Sequence, residues 1–164
     1  HNTYPTLAEK EKGLTAQIIE DTRWTRCDVK ATSLLANILL IDEALSAGYQ
    51  TSILARNNVI TEGSAANVFI VSKENVVKTP PLNNWCLPGI TQELVIGLVK
   101  QQGWSFAETE FSVDELVQAK EVWITSTTKE IFPVTQVNNT VINNGIMGDY
   151  CRIINNYYQE LVHQ

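Results

Sequence analysis

Three short turns, each between two β-favouring arms, constrain the fold of this 164-residue chain more than any other feature. The turns lie at Asn57-Asn58, Lys73-Glu74-Asn75 and Asn138-Asn139. Asparagine tolerates the left-handed backbone that tight turns require, so each segment is predicted to form a β-hairpin. Hairpins pair antiparallel strands, and a largely antiparallel or mixed sheet is therefore expected.

The remaining patterns predict further strands and helices. β-rich runs predict strands over 14–21 and 121–126. Predicted helices cover 31–47, 92–102 and 148–164, with a short helix after a capping box at Ser112 and Glu115. Gly48 is the predicted stop of the first helix and Thr91 the predicted cap of the second. The fold class is therefore mixed α/β, a hairpin-rich sheet with packed helices, with 1–13 as a linker and 14–164 as one domain.

Composition excludes several classes of function. The formal net charge is −6 and no basic cluster interrupts it, which argues against a nucleic-acid or membrane partner. The cysteines at 27, 86 and 151 are odd in number and widely spaced, which favours reduced thiols in a cytoplasmic protein. The two histidines stand at positions 1 and 163, so a histidine-dependent triad and a metal site both lack residues to build them.

Lys30 lies at an unusual position for a charged residue. It stands between Cys-Asp-Val and a long apolar run, where the chain is expected to pass from a buried strand into a buried helix. A charged amine at such a junction is costly to bury unless it is paired, neutralised or used covalently. It is either an ordinary lysine whose amine reaches solvent at a helix start, or a nucleophile for an aldehyde cofactor.

Pyridoxal phosphate (PLP) is the aldehyde cofactor that the other residues suit. It needs a carboxylate at its ring nitrogen, a helix start with hydroxyl groups at its phosphate, and apolar groups against its ring. Glu62 follows an apolar run, 87–91 lead into a predicted helix, and Ser126, Thr127 and Thr128 end a predicted strand. Each group also has an ordinary explanation: Glu62 as a solvated hairpin residue, 87–91 as a helix cap, and the three hydroxyls as a strand-end turn.

Four segments together resemble one family. RWTRCDVKATSLLAN, ITEGSAANVF, LPGIT and ITSTTKEIFPV stand in the order and near the spacing of the class IV, fold-type IV, PLP-dependent aminotransferases. The resemblance runs from about Pro5 to the end and is to the C-terminal domain of that family. Within the family, the chain is most similar to the D-amino acid (D-alanine) aminotransferases.

The resemblance implies a role for each matching residue. Lys30 is the catalytic lysine that binds the cofactor covalently and moves the proton. Glu62 is the carboxylate at the pyridine nitrogen. The other implied cofactor contacts are Arg23 near the ring, Leu87 against its face, and Ile90, Thr91, Ser126 and Thr127 around the phosphate. The implied reaction moves an amino group between a D-amino acid and a 2-oxo acid such as 2-oxoglutarate, in a homodimer.

Other interpretations stay open, and the chain departs from the family in two ways. A branched-chain aminotransferase and an aminodeoxychorismate lyase share the fold, and a non-catalytic fragment is the alternative of another class. The family is often serine-rich after the carboxylate, whereas Ala65 and Ala66 follow Ser64 here. The family's small N-terminal domain, which supplies a phosphate-binding arginine and the substrate carboxylate trap, is not among these 164 residues.

Overall fold

A computed structural model describes residues 4–162, which form a nine-stranded mixed sheet with helices packed on it. The strands are β1 Leu14–Glu20, β2 Thr51–Arg56, β3 Val59–Gly63, β4 Asn67–Val71, β5 Val77–Thr79, β6 Phe106–Glu108, β7 Glu121–Ser126, β8 Glu130–Val137 and β9 Thr140–Val141. The α-helices are α1 Leu7–Lys12, α2 Leu35–Ser46, α3 Ile90–Gln101, α4 Val113–Val117 and α5 Asp149–Val162. Within the described range, no helix combines the length and the apolar character needed to cross a membrane.

The sheet mixes parallel and antiparallel pairs, as its sequence predicts. Its order is β3-β2-β1-β8-β7-β4-β5-β6, with β9 paired to β8. Strand β1 runs parallel to both β2 and β8, and β5 runs parallel to β6. The hairpins β2–β3, β4–β5 and β8–β9 are the three predicted from the turns. The mixed α/β fold class is therefore confirmed.

Left-handed asparagines close these hairpins. Asn57, Asn58, Asn75 and Asn138 have φ angles of 50°, 65°, 62° and 49°. Most side chains collide with the backbone in this conformation, whereas asparagine tolerates it. The turn residues therefore fix where each hairpin lies along the chain. They also fix the position of β3, which is the strand at one edge of the sheet.

Alternating side chains divide the sheet into two buried faces. One face carries a core that includes Ile53, Val68 and Ile124. On the opposite face, α2 packs over β1 and β2, α3 packs over β7, and α5 packs over β7 and β8. These helices therefore share one face of the sheet but cover different strands.

Helix α2 differs from its prediction in its start and its buried face. It begins at Leu35 rather than at position 31, without a side-chain cap. Leu40 and Ala44 are its buried residues, whereas Ile38 and Leu39 are 57% and 59% exposed. The prediction that this apolar run is buried is wrong for the described chain, because α2 touches the sheet along a narrow line only.

Other boundaries also differ from those predicted. Helix α3 begins at Ile90 with Gly89 as its N-cap, so Thr91 lies inside the first turn. Ser112 accepts the Glu115 N–H at 3.1 Å, but the Glu115 carboxylate accepts from Lys78 at 2.5 Å instead of completing a capping box. Helix α1 lies within the segment predicted as a linker. The histidines at 1 and 163, and the end of the predicted last helix, lie outside the described residues.

Candidate functional site

A buried carboxylate stands at the end of β3. Glu62 is 5% exposed, and its Oε1 accepts a hydrogen bond from the Arg23 guanidinium. Its Oε2 accepts the backbone N–H of Leu87 at 3.0 Å. Burial raises the pKa of Glu62, and the charge of Arg23 opposes that rise. Both oxygens are thus held in place, and a carboxylate oxygen retains a further lone pair for a ligand N–H.

Arg23 is held from behind by an aspartate. Its Nε and Nη2 donate to Oδ1 and Oδ2 of Asp21, each at 2.9 Å, and Nη2 also donates to the carbonyl of Trp85 at 3.1 Å. Thr61 donates its hydroxyl to Asp21 at 2.9 Å. Burial opposes ionisation of Asp21, but Arg23 outweighs it and holds the pKa of that carboxyl below its usual range. This bidentate pairing fixes the plane of the guanidinium that faces Glu62.

The N-terminus of α3 lies beside the loop that carries Leu87. Asn67 of β4 donates its amide N–H to the Leu87 carbonyl at 2.8 Å. A Cβ at Gly89 would come within 2.2 Å of the Asn67 Oδ1, so the buried Asn67 side chain would have to shift to admit any larger residue. No side chain caps the helix, and the backbone N–H groups of Ile90 and Thr91 have no intrahelical acceptor. Such an end attracts anions, including phosphate.

The second segment predicted to bind the phosphate lies at the end of β7. Thr125 pairs with Asn67 in the β4–β7 register, so the following residue, Ser126, lies close to the start of α3. The Ser126 hydroxyl accepts the N–H of Lys129 at 3.1 Å and closes the turn after β7. Thr127 lies exposed within that turn. The two segments predicted to bind a phosphate are therefore linked indirectly, through the β4–β7 strand pair.

Buried hydroxyls without partners flank the site. The Ser64 Oγ, two residues after Glu62, and the Thr125 Oγ1, next to Ser126, are buried without a hydrogen-bond partner among the described residues. Buried polar atoms nearly always have partners, so both hydroxyls are available to hydrogen-bond a polar ligand. Together with the Glu62 carboxylate and the N-terminus of α3, these hydroxyls fit PLP, which carries both a ring nitrogen and a phosphate dianion.

Lys30 lies in the loop that connects β1 to α2. Neither element reaches it, because β1 ends at Glu20 and α2 begins at Leu35. Its placement directly between a strand and a helix is therefore corrected to mid-loop, and its side chain is exposed rather than buried. The Cys27 N–H donates to the Asn84 carbonyl at 2.8 Å and anchors this loop beside the segment leading to Leu87. Within residues 4–162 the Lys30 amine has no ion pair or side-chain hydrogen bond.

The structure brings only part of the predicted site into direct contact. Glu62 is hydrogen-bonded to both Arg23 and Leu87, whereas within residues 4–162 no hydrogen bond or ion pair joins Lys30 to another predicted residue. Sequence reasoning missed Asp21 and Asn67, which hold these groups. An Asp-x-Arg pair at the end of an apolar strand was the available signal for Asp21, while Asn67 gave none beyond its place in a hairpin.

Comparison with known proteins establishes the family. The model of the class IV amino-transferase family matches residues 1–137, and the chain belongs to this family. A D-alanine aminotransferase of Bacillus licheniformis is 39% identical over 140 residues, which cover 85% of this chain and 49% of that protein. Class IV aminotransferases are PLP-dependent, and the residues described above fit that cofactor.

Solved structures show the same fold. The branched-chain amino acid aminotransferase of Escherichia coli matches with a TM-score of 0.81 and 31% identity, over 92% of this chain and 52% of that one. The branched-chain enzyme of T.th., solved with pyridoxamine 5'-phosphate, matches with a TM-score of 0.86 and 25% identity, over 96% and 53%. The chain spans about half the length of the curated relatives it matches.

Proposed function

We propose that this chain carries the PLP-binding part of an aminotransferase that exchanges an amino group between a D-amino acid and a 2-oxo acid. The observation that carries the proposal is the Glu62 carboxylate, buried between Arg23 and the Leu87 N–H. A carboxylate held there keeps a pyridine nitrogen protonated. PLP bound in this way supplies an electron sink for the electrons of a broken Cα–H bond.

The residues divide the work of binding, orienting and moving a proton. The N–H groups of Ile90 and Thr91, with the hydroxyls of Ser126 and Thr127, bind the phosphate. The half-buried Leu87 packs against the ring. The Lys30 amine has no partner in the described chain, so it is available to bind the cofactor covalently and to move a proton from the substrate Cα.

The D-amino acid preference is supported by relatives. D-alanine aminotransferases of Bacillus licheniformis and Listeria innocua are 39% and 38% identical to this chain. The solved structures named above are branched-chain aminotransferases, so transamination of L-branched-chain amino acids is the second candidate. Because the chain spans about half of those proteins, the substrate is a proposal for the whole protein.

A paired substrate assay tests the proposal. With PLP and 2-oxoglutarate, we expect glutamate to form from D-alanine and not from L-alanine, L-leucine or L-valine. Glutamate formed only from the L-branched-chain amino acids would support the second candidate. Pyruvate released from aminodeoxychorismate would support the lyase. PLP binding without turnover of any substrate would support a non-catalytic fragment.

We further propose a homodimer in the cytoplasm. The support is an exposed apolar face on α2 and the residue before it, which water disfavours and a second copy would cover. Its members are Leu34, Leu35, Ile38, Leu39 and Leu45, each at least half exposed. The cysteines at 27, 86 and 151 are free and buried, which suits a reducing compartment. Sedimentation of wild type and Ile38→Glu tests the dimer, since the variant is expected to sediment as a monomer.

A further inference from the structure

Lys10 is a buried lysine that is not among the proposed cofactor contacts. It pairs with Glu130, which ends the turn that begins at Ser126. Lys10 of α1 is 2% exposed. Its Nζ donates to the Glu130 Oε2 at 2.9 Å and to the Asn155 Oδ1 at 2.7 Å. Lys10 thereby joins three elements that are far apart along the chain, namely α1, the start of β8 and α5.

Glu130 has a strained backbone and a side chain held by two donors. Its φ angle is +57°, a left-handed value that most residues avoid. It pairs with Ser126 across the β7–β8 hairpin, so it closes the turn that contains Thr127. Besides Lys10, Gln159 donates to its Oε2 at 2.7 Å. A strained residue persists where its surroundings hold it, and here the side-chain partners do so.

The same face of α5 also contacts the other segment predicted to bind the phosphate. Asn155, Tyr158 and Gln159 are three and four positions apart and therefore share one helix face. Tyr158 lies near Thr91, in the first turn of α3, since the Thr91 side chain affects its pKa. Burial raises the pKa of Tyr158, the charge of Glu130 adds to the rise, and the Thr91 side chain opposes it. This face of α5 therefore lies next to both Thr91 and Glu130.

We infer that the Lys10–Glu130 ion pair positions the Ser126–Glu130 turn against α5, so that the two hydroxyl-bearing segments stand at the spacing a phosphate monoester needs. The inference rests on the proposed function, because the phosphate is that of the proposed cofactor. Lys10 and Glu130 are positioning residues that act through the turn.

The chemistry of the pair supports a role beyond stability. Removing two charges from water is costly, and a buried ion pair often stabilises a fold no more than apolar residues of similar size. A lysine and a glutamate in this interior therefore gain little stability that a leucine pair would not provide. The pair does constrain the position of the turn, because the Lys10 amine reaches the Glu130 carboxylate only when the turn lies in one place relative to α1.

The test compares one double variant with one matched control. Lys10→Met with Glu130→Gln removes both charges together, so no unpaired charge remains buried. Glu11→Gln is the control, since Glu11 lies on the same helix and pairs with Arg152 of α5 at a partly exposed site, away from the turn. The affinity of each protein for PLP and for pyridoxal, which lacks the phosphate, is measured by absorbance.

We expect the double variant to bind PLP about tenfold more weakly than wild type, the scale on which groups behind a ligand's direct contacts act. Its affinity for pyridoxal should equal that of wild type, and the control should match wild type for both ligands. Unchanged PLP affinity in the double variant would overturn the inference and leave the proposed function standing. A wild-type protein that binds neither ligand would overturn the proposed function.

A second measurement needs no cofactor. Amide hydrogen exchange of the cofactor-free proteins is expected to be faster at 127–130 in the double variant than in wild type or Glu11→Gln. Equal exchange in all three proteins would overturn the positioning role. A weaker PLP affinity in Tyr158→Phe but not in Tyr157→Phe, an exposed neighbour on α5, is expected if this face also holds Thr91.

Discussion

Arg23 and Glu62 form a buried ion pair although 39 positions separate them in the chain. The pair joins the loop that carries Lys30 to the strand end that carries the proposed ring-nitrogen contact. Asp21 holds the other edge of the guanidinium, so one cation serves two buried carboxylates. The pair therefore holds the loop that carries Lys30 and the Glu62 carboxylate in a fixed relative position.

Removing Arg23 should destabilise the protein strongly. Arg23→Met leaves Asp21 and Glu62 buried without their shared cation, and breaking a buried pair in this way costs about 3–5 kcal/mol. Because Arg23 opposes the rise in the pKa of Glu62, that pKa should rise further in the variant, and the loss should be smaller at pH 5 than at pH 7.

Urea unfolding at both pH values measures this loss. Arg26→Met is the matched control, since Arg26 is 55% exposed and water screens its pairing with Asp28, so the variant should lose little stability. Equal losses in the two variants, or a larger loss for Arg23→Met at pH 5, would contradict the structure.

Glu62→Gln should separate catalysis from folding. Glutamine keeps the shape and can still accept one of the two hydrogen bonds, but it carries no charge to hold a proton on a ring nitrogen. We expect kcat to fall on the order of a hundredfold, while the unfolding free energy changes much less than in Arg23→Met. Stopped-flow and steady-state rates with D-alanine measure the effect, and an unchanged kcat would remove Glu62 from the mechanism.

Two glycines of the α3 segment should respond oppositely to alanine. A Cβ at Gly89 would collide with the Asn67 side chain, so Gly89→Ala should displace the helix start and weaken PLP binding. Gly97 lies inside the same helix with open space beside it, and Gly97→Ala should stabilise the protein by about 0.8–1 kcal/mol through helix propensity. PLP titration and thermal unfolding of both variants test this difference. Weaker PLP binding by Gly97→Ala alone would contradict it.

Glu121 should make stability depend on pH. It is buried and its two oxygens accept the N–H groups of Tyr150 at 3.0 Å and Cys151 at 2.9 Å, at the start of α5. Burial raises the pKa of Glu121 above its ordinary value of 4.5. The folded state thus holds this proton more tightly than the unfolded state, and the group's contribution to stability is present below pH 4.5 and is lost as pH rises through the raised pKa.

Glu121→Gln should therefore flatten the fall in unfolding free energy between pH 4.5 and neutral pH. Glu20→Gln, an exposed change on β1, should leave the pH dependence of the wild type unaltered. Chemical unfolding across this range tests both, and a wild-type slope retained in Glu121→Gln would show that another group is responsible.

The sequence predicted the hairpins because asparagine turn chemistry is local. It predicted that Glu62 lies at a strand end and that a helix begins near Thr91, because strand ends and helix starts are also local features, although α3 begins at Ile90. It did not predict the exposed face of α2, because apolar spacing shows which side chains share a face and not which face meets the sheet. Nor did it predict Lys10, whose partner Glu130 lies 120 positions away and is brought to it only by the sheet order.

Covalent trapping of the cofactor tests the central claim most directly. The protein is incubated with PLP, reduced with borohydride, digested, and mapped by mass spectrometry, with Lys30→Ala as the control. We predict a visible absorption band that reduction removes, and one phosphopyridoxyl group, on Lys30. A group attached to another lysine, or equal labelling of Lys30→Ala, would contradict the account.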